Sequence, residues 1–218
     1  MEIKSAIFDM DGTLINSLIF WDILWSELGK KYLNDENFRP TAEDDKAVRT
    51  LTMKDGMELI HKNYNIAESV EKLLEEVSAS IVRFYSEIVE LKSGVKEFLD
   101  FCYENGTKMC VASATATEFL KIALKRCDIE KYFSCIFSCA DIGIGKEKPD
   151  IFLIAKDHLG TEISETWVFD DSAVAIDTAH KAGFKTVGIY DKFNYSQEEI
   201  KLTADIYIGE NENLTKLI

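Results

Sequence analysis

Proline is almost absent from this chain: Pro40 and Pro149 are the only two. No low-complexity tract and no internal repeat is present either. These gaps exclude proline-rich spacers, repeat arrays and long disordered segments. The five cysteines, Cys102, Cys110, Cys127, Cys135 and Cys139, make an odd set with no C-x-x-C spacing. Neither a disulfide framework nor a zinc site is therefore signalled. Cys102, Cys110 and Cys127 fall on apolar phases and read as core thiols, which suit a reducing, cytoplasmic setting. No apolar run approaches the ~18 residues of a membrane span. The start runs straight into the strand-like Ile3 to Phe8 with no basic-then-apolar leader. Positive charge is also in the minority, with 25 basic against 39 acidic side chains and a net charge of -14. Such a surface repels phosphate backbones and anionic membranes, so neither nucleic acid nor a membrane is expected as a partner.

What is present is an ordinary globular composition. The 218 residues are 46% hydrophobic and 29% charged, enough to bury a core without disulfides or structural metal. Ile3 to Phe8 reads as a strand that runs into Asp9-Met10-Asp11-Gly12-Thr13. From residue 16 to about 90 the pattern is helical only. Phe20, Trp21, Leu24, Trp25 and Leu28 form a stripe read as helix packing. Asp44 to Tyr64 suggests shorter helices broken near Thr52, and Ser69 to Val89 one long amphipathic helix.

After Leu91, strands and helices alternate. Met109 to Ala112, Ser134 to Ser138, Trp167 to Phe169, Thr186 to Tyr190 and Ala204 to Ile208 read as strands. Helices are expected around Val95 to Cys102, Phe119 to Cys127, Pro149 to His158 and Ser172 to Ala182. This predicts an α/β fold: a Rossmann-like parallel sheet core of residues 1–15 and 91–218, interrupted by an all-helical insertion at 16–90.

Four clusters follow the predicted strands or the loops beside them: Asp9/Asp11, Ser113, Lys146/Lys148 and Asp170/Asp171. In a parallel sheet these ends lie on one edge, where ligands bind. Paired carboxylates repel unless a cation sits beside them, and an oxygen-only set with no His or Cys points to magnesium. A carboxylate can also attack phosphorus, with a neighbouring carboxyl as acid and base. Ser113 precedes a helix start, where phosphate binds well, and a lysine would neutralise a phosphoryl group. Singly, each has a plainer reading: a solvated turn, a helix cap or a charged surface run.

In order and together, these residues resemble the haloacid dehalogenase-like hydrolase superfamily along essentially the whole chain. Within it they resemble the β-phosphoglucomutase-like and phosphoglycolate phosphatase-like group. Phe8-Asp9-Met10-Asp11-Gly12-Thr13-Leu14 is similar to the first signature, and Val111-Ala112-Ser113 to the second. Gly145-Lys146-Glu147-Lys148-Pro149-Asp150 resembles the third, and Val168-Phe169-Asp170-Asp171-Ser172 the fourth. The third signature departs from Gly-Lys-Pro-x-Pro-Asp by Glu147, and aligning its flanks selects Lys146 over Lys148.

The resemblance implies that Asp9 is the nucleophile and that Asp11 is the general acid and base. It implies that Ser113, the Ala114 backbone and Lys146 hold the phosphoryl group. Magnesium would be bound by Asp9, the Asp11 carbonyl oxygen, Asp171 and Asp170, and the insertion would be a cap. The expected activity is a phosphatase for a small phosphorylated metabolite, with the chain a monomer or homodimer. A sugar phosphomutase on the same core and a non-turnover phospho-accepting module remain alternatives. Arg49, Thr50, Thr52 and Lys54 are read as surface residues near the helix break, with contact to a sugar or second phosphate as the alternative.

Overall fold

The computed structural model describes residues 3–49 and 51–218. Strand β1 (Ser5–Phe8) opens the chain. Helices α1 (Phe20–Leu28), α2 (Ala42–Val48), α3 (Met53–Tyr64) and α4 (Val70–Arg83) follow. The remainder alternates: α5 (Val95–Glu104), β2 (Lys108–Ser113), α6 (Thr117–Arg126), β3 (Ile136–Ser138), α7 (Cys139–Ile142), α8 (Asp150–Leu159), β4 (Thr166–Asp170), α9 (Ala173–Lys181), β5 (Lys185–Ile189), α10 (Gln197–Thr203) and β6 (Ile206–Ile208).

All strands are parallel, in the order β3-β2-β1-β4-β5-β6. Every residue of β1 and β4 is buried, as expected where helices cover both faces of a parallel sheet. Successive side chains point to opposite faces. Ile7, Cys110 and Val168 pack with Ile151, Phe152 and Ala155 of α8 and with Ala175 and Ala179 of α9. On the other face Phe8 stacks on Phe169, with ring centroids 4.5 Å apart, and meets Phe98 of α5 edge-on.

The register positions the site. Phe8 lies opposite Val111 of β2 and Phe169 of β4. One residue further on, Asp9 and Asp170 are therefore neighbours, and the Asp9 N–H donates to the Phe169 carbonyl at 2.8 Å.

The chain divides into two compact units, Met1–Leu18 with Val89–Ile218, and Ile19–Ile88. The division falls a few residues inside the 16–90 insertion read from the sequence because the connecting segments pair with each other. Asn16 N–H donates to Glu90 O at 2.9 Å and Lys92 N–H to Leu14 O at 2.9 Å, so both belong to the sheet unit.

The helical unit has its own core of Leu24, Trp25, Leu28, Val48, Met57, Ile60, Leu73, Val77 and Phe84. Thr41, Thr52 and Ser69 accept backbone N–H bonds at the starts of α2, α3 and α4, satisfying donors that a helix leaves orphaned. The Thr52 cap explains the break read there. The long helix expected over Ser69 to Val89 ends at Arg83 and continues as a π-helical turn, Phe84–Ile88. At Gly29, ending α1, a Cβ would stand 2.3 Å from the Phe38 Cβ, so the close return of the chain requires glycine.

Candidate active site

Three carboxylates meet at the carboxyl ends of β1 and β4. Asp9, Asp170 and Asp171 each place an oxygen within 4.8 Å of the others, and all are buried. Lys146 reaches them from the loop before α8. Its Nζ lies 2.5 Å from Asp9 Oδ1 and 2.8 Å from Asp170 Oδ2. Lys148 is exposed, and its backbone N–H turns back to Gly145 O at 3.3 Å. Asp170 Oδ1 accepts from the Ser172 N–H at 2.8 Å, while the Ser172 side chain caps α9.

Asp11 follows on the turn after β1, close enough for its charge to act on Asp9. Its Oδ2 accepts from Thr115 Oγ1 at 2.7 Å, on the loop leaving β2. The turn between Asp11 and Thr13 depends on Gly12, whose φ is +78°. A Cβ there would lie 2.5 Å from Asp171 Oδ2, so glycine is needed both for the backbone and for the carboxylate beside it. Ser113 ends β2, buried, and its Oγ accepts from the Thr115 N–H at 3.3 Å. Ala114 follows it, exposed.

The electrostatics follow from burial. Desolvation raises the Asp9 carboxyl from 3.8 to about 7; Lys146 opposes the rise, and Asp170 and Asp11 add to it. Burial, then Asp9 and Asp170, push Asp171 well above the usual carboxylate range. Burial works against the Lys146 ammonium, but Asp170 and Asp9 outweigh it and raise its pKa, so it stays charged. One ammonium facing three buried carboxylates leaves an excess of negative charge. That deficit, and a donor set of oxygens alone, fit a hard divalent cation such as magnesium.

The structure thus brings Asp9, Lys146, Asp170 and Asp171 into contact. Asp11 and Ser113 meet through Thr115 on the neighbouring loop. Arg49 belongs to the helical unit. Its guanidinium pairs with Asp45, at 2.8 Å from Oδ2, and lies 5.8 Å from the Trp21 ring centroid. Thr52 is a helix cap and Lys54 is exposed; Thr50 lies outside the described residues.

Several residues around the site carried no role in the sequence. Thr13 sits inside the first motif and Thr115 two residues past the second, and Thr13 Oγ1 donates to Asp171 Oδ1 at 3.3 Å. Asn194, after β5, donates through Nδ2 to the Asp171 carbonyl. Lys92 donates to Gly12 O at 2.6 Å and pairs with Asp191 Oδ2 at 2.9 Å. The one available signal was general: loops at the carboxyl ends of parallel strands build sites.

A lysine braced between acids at the carboxyl ends of the central strands places this site where open α/β sheets bind their ligands. The chain belongs to the haloacid dehalogenase-like hydrolase family, whose profile matches residues 6–189. It is 24% identical over 216 residues to a phosphorylated carbohydrates phosphatase of Thermotoga maritima, covering 98% of each chain. It is 25% identical over 186 residues to hexitol phosphatase B of Escherichia coli, covering 85% of this chain and 83% of that one. Among solved structures, a candidate β-phosphoglucomutase from Thermotoga maritima matches with a TM-score of 0.83 and 24% identity, over 99% of this chain and 98% of that chain.

Proposed function

We propose that this hydrolase is a magnesium-dependent phosphatase of a small phosphorylated metabolite, a sugar phosphate or a similar monoester. The observation that carries the reading is the contact of Lys146 with both Asp9 and Asp170 beside Asp171. The relatives named as carbohydrate and hexitol phosphatases support the substrate class.

In this reading an Asp9 carboxylate oxygen attacks phosphorus and the bond to the leaving oxygen breaks. Asp11 gives its proton to that oxygen. Asp11 then takes a proton from water, whose oxygen attacks the aspartyl phosphate. Phosphate leaves and the Asp9 carboxylate is restored. Lys146 offsets charge on the phosphoryl oxygens, and Ser113 Oγ with the Ala114 N–H hold them. Thr115, bonded to Asp11 at 2.7 Å, keeps that carboxyl turned toward the same loop. Asp9, the Asp11 carbonyl oxygen, Asp170 and Asp171 would hold magnesium, which supplies charge neutralisation at the phosphoryl group. The helical unit takes the role of a cap that excludes water and selects the substrate.

We place the enzyme in the cytoplasm, as a monomer or homodimer. All five cysteines are free thiols. Among the described residues no helix is long and apolar enough to cross a membrane.

The test is phosphate release from a panel of small phosphomonoesters, with magnesium or a chelator, for wild type and Asp9→Asn. Magnesium-dependent release that the variant lacks is the expected result. Release unaffected by Asp9→Asn would remove the nucleophile. No release from any ester, together with conversion of glucose 1-phosphate when a bisphosphate activator is added, would select the mutase instead.

A further inference from the structure

Beneath the acidic cluster runs a chain of polar contacts that the proposed chemistry does not use. Lys92 directly follows the segment that returns from the helical unit. Its Nζ meets three acceptors: Gly12 O at 2.6 Å, Tyr190 O at 2.8 Å and Asp191 Oδ2 at 2.9 Å. Three donors and three acceptors satisfy the ammonium completely. Asp191 is buried and spends its other oxygen on the Phe193 N–H at 2.9 Å. Its carbonyl receives the Asn194 N–H at 3.0 Å and Gln197 Nε2 at 2.8 Å. The turn after β5 is thereby closed on the ion pair.

That turn delivers one side chain to the site. Asn194 Oδ1 accepts from the Ser196 N–H at 3.0 Å, which sets the amide so that Nδ2 faces the other way. Nδ2 then reaches the Asp171 carbonyl and lies 3.4 Å from Asp171 Oδ2. Thr13 on Oδ1 and Asn194 on the carbonyl and beside Oδ2 hold the Asp171 carboxylate from both sides, in the space that Gly12 leaves by lacking a side chain.

We propose that Asn194, locked in place by the Lys92–Asp191 ion pair, is a positioning residue that presents Asp171 to a divalent cation. The inference rests on the magnesium reading above. It concerns affinity for the ion rather than the chemical step, because Asn194 contacts neither Asp9, Asp11 nor Lys146 among its hydrogen bonds. Partners that orient a metal-binding carboxylate typically account for 10- to 100-fold in metal affinity.

The experiment titrates magnesium into the full chain by calorimetry, for wild type, Asn194→Ala and Asp171→Asn, with Tm measured in chelator. Asn194→Ala should weaken the magnesium Kd by roughly 10- to 100-fold and leave the metal-free Tm close to wild type. Phosphate release should be depressed at limiting magnesium and restored at saturating magnesium. A wild-type Kd in Asn194→Ala, with or without a lowered Tm, would overturn the inference while leaving the metal reading intact. Wild type binding magnesium no better than Asp171→Asn would remove the metal reading, and this inference with it.

Discussion

Asp9→Asn should stabilise the metal-free protein at neutral pH while abolishing turnover. Burial pushes the Asp9 carboxyl up to about 7 in the folded chain, against 3.8 for a free side chain. Between those values the folded state holds a proton that the unfolded state has released. Stability then falls as pH rises, because the native state binds more protons. Each pKa unit is worth about 1.4 kcal/mol, so a rise of roughly three units amounts to about 4 kcal/mol. The asparagine is neutral at every pH and keeps an oxygen that can accept from Lys146.

Wild type and variant should therefore be nearly equal below pH 4. They should separate by about 1.4 kcal/mol per pH unit up to pH 7, in the variant's favour, and run parallel above it. Urea unfolding in chelator across pH 4 to 8 measures the gap directly. Saturating magnesium should close it, since a bound cation favours the ionised carboxylate. A wild type that gained on Asn as pH rose, without metal, would mean that Lys146 outweighs burial at Asp9. The account of a cluster short of positive charge would then be wrong.

Lys146→Ala should lower kcat by roughly 100- to 1,000-fold, as loss of a group stabilising transition-state charge does. Lys148→Ala should stay within a few-fold of wild type, and the reverse order in steady-state assays would reassign the lysine. Gly12→Ala should cost about 1–2 kcal/mol for the left-handed backbone alone. Its Cβ, 2.5 Å from Asp171 Oδ2, should also displace that carboxylate and weaken magnesium binding; unchanged affinity by calorimetry would refute the contact. Lys92→Met, which leaves Asp191 buried and unpaired, should destabilise by about 3–5 kcal/mol. Adding Asp191→Asn should recover most of that in urea unfolding, and an additive loss would show that the pair is not coupled.

Part of the candidate site was legible because Asp9, Ser113 and Asp170 sit at strand ends, where register brings them to one edge, whereas Lys146 comes from a loop and was placed only by its motif. Asp9 and Asp170 each stand one residue past a β1–β4 pair, and Ser113 ends the strand on the other side. Buried runs such as Ser5–Phe8 and Thr166–Asp170 stand out as apolar segments between turns. The helices α7 and α10 left no such mark. One has four residues, and the other buries only Ile200, too little for an apolar period to emerge. The Lys92–Asp191 pair spans a separation of 99 residues. A lysine and an aspartate that far apart look like any other pair of charges until the chain is folded.

The two connecting segments, paired through Asn16 and Glu90 and through Leu14 and Lys92, make the helical unit a detachable part. The chain leaves the sheet unit and re-enters it at adjacent points, and among the described residues no strand of the sheet comes from the insertion. A short turn could bridge that gap without disturbing β1 or its register. A change in the length of the helical insertion would thus leave the strands that carry the acidic cluster in their order and register.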